Sequence, residues 1–379
     1  MERIRMRKIG FKPFLPYLGY VLILAGLYTG TAMLGIPFAF IQKQITLVWP
    51  PTGIALVAIL LFGYRLWPGL SLGVIIFDLL TDAPPGFLLA TAIGNPLAAI
   101  VGAYLLQHWI KFHNELDRVK DVLGLMFAAG AGSLFSATIG TLSLCFSGAT
   151  TWSLFVTAWL RWFIGDTLGV IMLAPALLMW LNFSPSPLRK NPRCILEIGA
   201  LTLLVIVSSL SVYGGWLPQK TTHPLSYIIF PLAIWAALRF GTRAVSTIVL
   251  YWTVAAIWGT SKGLGPFTEG SMAENLAHLD FTIILTISLL LLSAVITERK
   301  QAQSTLRESE ERYRLLVEHS PEAIFVHTGN KTVFVNPACL QLLAAADPGQ
   351  LLGKPPLDFL HPDYTGPVLE QLQQLLVEK

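Results

Sequence analysis

Residues 159–178 read WLRWFIGDTLGVIMLAPALL. Two charges, Arg161 and Asp166, interrupt an apolar block that extends over about 153–181, ample for the roughly 20 residues a helix needs to cross a bilayer. A charge at membrane depth costs about 3 kcal/mol, so each of these two needs a partner on another helix or a polar cavity. Five residues apart on a helix they point about 140° from each other, so they cannot pair locally.

The whole chain fits that reading. Of its 379 residues 54% are hydrophobic and only 13% charged, about half the charge of a soluble domain. This excludes an ordinary cytosolic enzyme, a disordered chain and, with a net charge of only +4, a nucleic-acid binder. Cys145, Cys194 and Cys339 are scattered and form no metal or redox spacing, so they read as free thiols. The charge is uneven: 19 of the 48 charged residues fall in the last 82 positions, from Glu298 onward. A membrane domain therefore gives way near residue 297 to a water-soluble part, with no Gly/Ser linker between them.

Apolar blocks lie at about 14–34, 50–63, 67–80, 86–110, 121–146, 153–181, 194–214, 224–239, 243–259 and 276–297. The basic start, residues 1–13, has the look of a signal-peptide n-region, but the first block is long enough to be a retained span. The blocks 50–63 and 67–80 are short, each opens on proline, and Arg65 lies between them, which favours crossing over a re-entrant loop. Ten spans with the N-terminus inside put Arg3, Arg5, Arg7, Lys8, Lys12, Arg65, Lys111, Arg118, Lys120, Arg189, Lys190, Arg193, Arg239 and Arg243 in the cytosol. Only Lys43, Lys220 and Lys262 then face out, fourteen against three. Eight spans with the same orientation is the alternative. Either count predicts a multi-pass inner (plasma) membrane protein whose two termini are cytoplasmic.

Few ionisable groups lie deep. Asp78, Asp82, Glu197 and Asp280 fall near block ends and read as interfacial. Asn95, Arg161, Trp162 and Asp166 are the candidate ligand-binding residues, in a pocket opening to the periplasmic half. Interhelical glue is the competing reading, and a proton or ion path a third. The small residues of 124–143 allow close helix packing, and the aromatic crowd of Trp152, Trp159, Trp162 and Trp180 reads mainly as interface belt and packing.

Three stretches carry a family resemblance: WPPTGIALVAILLFGYRLWPGLSLG (49–73), AIGNPLAAIVGAYLL (92–106) and the opening stretch at 159–178. In this order they resemble the bacterial MASE1 domain, an integral-membrane sensory module, over about 14–297. The resemblance implies a sensor role and matches Asn95, Trp162, Gly165 and Asp166 to the family's GN and WxxGDxxG patterns. Asp78 stands where the family more often has Asn, and Ala98 and Ala99 follow where an acidic residue is usual.

Beyond the last block the helical pattern continues. Leu292, Val295, Arg299, Ala302, Leu306, Ser309, Tyr313 and Leu316 alternate three and four apart, and charged residues lie between them. Residues 298–316 are therefore expected to form a signalling stalk, a parallel coiled-coil homodimer, with a solvated single helix as the alternative. Residues 317–379 resemble the N-terminal part of a PAS domain. EAIFVHT and KTVFVN read as strands joined by Gly-Asn, and Asn336 caps a helix opened by Pro337. A PAS fold needs three more strands, so the half domain reads as truncated, with an unfinished sheet edge.

His319 and His361 invite over-reading, as a phosphoacceptor and a haem ligand; both read as loop or cap residues. No glycine-rich phosphate cradle, GGDEF-like run or metal-ligand spacing is found, so no catalytic or metal residue is assigned and no cofactor is named. The expected fold class is mainly α: a polytopic membrane helix bundle with a helical stalk and an incomplete α+β PAS domain. The expected function is the input part of a bacterial two-component histidine kinase, with enzyme activity only if a longer chain carries the output. A diguanylate cyclase input, or a scaffold for a partner transporter in the bilayer, are the alternatives. Transport itself would predict paired broken helices in both halves, and only the 50–80 pair is found.

Overall fold

The computed structural model describes residues 14–36, 39–41, 45–46, 48–181, 192–216, 226–262, 264 and 272–377, without the side chains of 14, 39–41, 45–46, 226, 260–261, 272–283 and 370–377. The basic residues of 1–13, and Lys43, Arg189, Lys190 and Lys220, lie outside them, as does the side chain of Asp280. The chain divides into two units, Met1–Arg299 and Lys300–Lys379.

The first unit is built from nine described helices and the first part of a tenth: α1 (Phe14–Gly35), α2 (Pro50–Phe62), α3 (Trp67–Leu80), α4 (Pro85–Tyr104), α5 (Val119–Phe146), α6 (Phe155–Leu181), α7 (Pro192–Tyr213), α8 (Ile229–Phe240), α9 (Thr242–Ser261) and α10 (Met272–Glu318). Proline opens α2, α4 and α7 and follows Trp67 in α3, at a first turn where its missing N–H costs little. Five of these are long and apolar enough to cross a membrane, α1, α4, α5, α6 and α7, while α2 and α8 are apolar but shorter. The α2–α3 turn is made by Gly63 at φ 96°, which only glycine adopts freely, followed by one 3₁₀ turn that carries Arg65. A short hairpin, β1 (Ala39–Ile41) with β2 (Ile45–Thr46), fills part of the α1–α2 connection, where no strand was expected.

Packing follows the small residues. The helices pair as α4 on α5, α5 on α6, α1 on α3 and α2 on α6. At the α2–α6 crossing an added Cβ on Gly169 would meet the Trp49 carbonyl oxygen at 1.9 Å, and one on Gly53 would meet the Gly169 carbonyl oxygen at 2.5 Å. The two glycine motifs, WPPTG and GDTLG, are thus the two sides of one backbone contact, the means by which membrane helices associate without a hydrophobic drive between them. One continuous core runs from Val21 and Leu24 through Ile59, Leu125 and Val170 to Leu289 and Ala294. Leu22, Ile23, Leu196 and Leu203 face outward, as lipid-facing side chains do.

Hydrogen bonds tie the helix ends on one side of the bundle together. Tyr17 donates to the Arg65 carbonyl at 2.8 Å, and Tyr64 to Gln107 Oε1 at 2.9 Å. The Val119 N–H donates to Glu298 Oε2 at 3.2 Å, Arg243 to the Met179 carbonyl at 3.2 Å, and Ser293 to Thr242 at 2.9 Å. Arg239 forms a two-pronged pair with Glu197, at 2.6 and 3.1 Å, so Glu197 is an ion-pair partner between α7 and α8.

In the second unit α10 continues unbroken to Glu318. Of the seam residues, Val295, Leu306, Tyr313 and Leu316 are exposed in the single chain, Leu306 at 61% and Tyr313 at 67%. The hairpin β3 (Phe325–Thr328) with β4 (Lys331–Val335) turns at Gly329, and α11 (Pro337–Leu342) follows. Asn336 is fully buried and makes four bonds. Its Oδ1 accepts from the Cys339 and Ile324 amides, at 2.9 and 2.8 Å, and its Nδ2 donates to the Val317 and Glu322 carbonyls, at 3.1 and 2.8 Å. The cap residue therefore also fastens the end of the stalk helix to the domain that follows. His361 is exposed, 3.3 Å from Asp363, just before α12 (Pro362–Val377).

Candidate functional site

A cavity lies at the opposite side of the bundle from Arg65 and Glu298, where α1, α3, α4 and α6 meet the start of α2. Its polar lining is Tyr28, Asp78, Thr91, Asn95 and Asp166, and its walls include Trp49, Phe77, Phe87 and Trp162. Each side chain is placed by a local feature. Thr52 at the start of α2 bonds both the Trp49 carbonyl, at 2.7 Å, and the Asp166 carbonyl, at 3.0 Å, while the Trp49 N–H donates to the Gly165 carbonyl at 2.9 Å. These bonds lock the WPPTG turn onto the GD turn of α6 and aim Asp166 inward. Ser136 of α5 donates to Asp166 Oδ2. Asn95 of α4 donates to the Tyr28 hydroxyl at 2.9 Å, and Thr91, one turn earlier, donates to Asp78 Oδ2 at 2.6 Å.

The polar groups are nearly sealed: Tyr28 is 1% exposed, Asp78 and Asp166 2% each, and Asn95 9%. A second cavity continues from Asn95 and Asp166 toward Thr52, Ser133 and Gly132. The free space in each suits about one ordered water or a small ion. No lysine or arginine lines either cavity among the described residues. Two carboxylates, two hydroxyls, an amide and five aromatic rings make a site matched to positive charge or to hydrogen-bond donors.

Of the four candidates from sequence, Asn95, Trp162 and Asp166 come together here and Arg161 does not. Arg161 precedes Trp162 by one residue, about 100° round the helix, and is half-buried elsewhere. Asp78, read as interfacial, is instead a buried wall of the site: its side chain turns inward to accept from Thr91 of α4, while Leu79 and Leu80 at the end of α3 are exposed. Its departure from the family's usual Asn was the available signal. Tyr28, Thr91 and Ser136 were not singled out, since a hydroxyl on an apolar helix looks like any other packing residue.

The comparisons agree with this architecture. A MASE1 profile matches residues 20–300. The chain belongs to the MASE1 family. In this MASE1 chain a PAS domain profile follows over residues 311–375, and the pairing is that of a membrane sensory input. The chain is 27% identical over 346 residues to the "Probable diguanylate cyclase DgcE" of Escherichia coli (strain K12), covering 88% of this chain and 30% of that protein. It is 39% identical over 90 residues to "Sporulation kinase A" of Bacillus subtilis (strain 168), covering 24% of this chain and 15% of that one. The chain thus spans under a third of the length of either relative. No solved structure matches it significantly.

Proposed function

We propose that the Tyr28–Asp78–Asn95–Asp166 cavity is the stimulus site of this sensory module, and that α10 carries its state to the PAS domain. The observation that carries this reading is the sealed polar cluster built across five elements, with α10 continuous from Met272 to Glu318. A small ligand with positive charge or hydrogen-bond donors fits its chemistry. The ten-crossing arrangement, with both termini in the cytosol, is supported by the side of the bundle that gathers Arg65, Arg239, Arg243 and Glu298. Two chains pair in parallel along Leu292, Val295, Ala302, Leu306, Tyr313 and Leu316.

The output is a diguanylate cyclase or a histidine kinase supplied by a longer protein. The cyclase reading is favoured by the relative that aligns across 88% of the chain, whereas the kinase relative aligns over only 90 residues. The test is a graft of this chain in place of the corresponding part of the Escherichia coli relative, with cyclic di-GMP measured in cells. Asp166→Asn and Asn95→Ala should each shift the output at least threefold while the membrane level of the protein is unchanged. Output indistinguishable from the unsubstituted graft would make these residues packing alone.

A further inference from the structure

His113, Asp117 and Asp121 recur every four residues from the α4–α5 connection into the first turn of α5, on the side of the bundle that holds Glu298. The fold brings one ligand atom of each within 4.8 Å of the others. No metal-ligand spacing was read from the sequence here, because the first two residues lie in a loop, where a four-residue repeat has no defined face. His113 Nδ1 is 3.9 Å from Asp117 Oδ1. Asp121 is fully buried; its Oδ1 accepts the His113 N–H at 3.1 Å, while its buried Oδ2 takes no hydrogen bond among the described residues. Burying a carboxylate oxygen with no donor is costly, on the order of 1–3 kcal/mol. A first-turn role at the start of α5 accounts for Oδ1 and leaves Oδ2 unexplained.

We propose that His113, Asp117 and Asp121 bind a divalent transition-metal cation of the zinc class. Nitrogen and carboxylate oxygens at about 2.0–2.2 Å from zinc stand about 3.4 Å apart in a tetrahedron, so the 3.9 Å His113–Asp117 gap and the others, each under 4.8 Å, have to close by side-chain rotation. An imidazole with two carboxylates suits zinc or manganese better than magnesium, which keeps its waters and prefers oxygen alone. Three protein donors leave a fourth position to water. The ion would be held two residues from Val119, whose N–H is capped by Glu298 of the stalk helix, so its arrival bears on the point where α10 leaves the bundle.

The test is isothermal titration of Zn²⁺ into the full chain in nanodiscs, free of any histidine tag. One saturable site is expected, and His113→Ala and Asp117→Asn should each weaken it at least tenfold. Both positions lie in the loop outside the helices, so the metal-free unfolding temperature should stay within about 2 °C of the parent, which separates lost ligation from lost fold. No saturable binding, or binding that both variants leave unchanged, overturns the proposal.

Discussion

Asp166 is buried in the cavity lining, and that position was legible because a carboxylate in an apolar block has to be accounted for. Asp78 is equally buried but was hidden by its position near a block end, where water normally serves it. Arg161 illustrates the converse: a charge close in sequence points elsewhere once the helix phase is known. The tightest backbone contact yields a direct prediction. Gly169→Ala forces a methyl against the Trp49 carbonyl, so α2 and α6 must separate, and the cost should be about 1–3 kcal/mol. Thermal unfolding followed by tryptophan fluorescence should show a lower midpoint for Gly169→Ala, and an unchanged or slightly higher one for Gly199→Ala, where nothing lies within 4 Å and alanine favours the helix.

Among the elements, long apolar helices and their proline starts were readable from composition, and so was the β3–β4 hairpin with its Asn336 cap. The short hairpin at 39–46 was not, since neither strand exceeds three residues and no pattern can be seen at that length. Nor was the second function of Asn336, because its bonds to Val317 and Glu322 depend on how the stalk helix ends. Asn336→Ala removes four hydrogen bonds from a buried site and should destabilise the PAS unit by about 3 kcal/mol. Cys339 reports on it: burial raises the pKa of this thiol and hides it, so alkylation at neutral pH should be slow in the parent. At least a tenfold faster alkylation is expected in Asn336→Ala; equal rates would mean that the cap does not hold this unit together.

For the whole molecule, the stalk seam is exposed in one chain, and apolar side chains such as Leu306 and Leu316 favour burial against a second copy. In membranes, Leu306→Cys should form a disulfide between chains under mild oxidation, whereas Glu308→Cys, off the seam, should do so at least fivefold more slowly. Equal rates would remove the parallel pair. The account as a whole depends on the stalk and the PAS unit facing the cytosol while the α9–α10 connection faces out. The deciding measurement is labelling of intact cells with a membrane-impermeant maleimide, in a chain whose three native cysteines are replaced by alanine. Lys262→Cys should label on whole cells and Ser304→Cys only after lysis; labelling of Ser304→Cys from outside would contradict the account.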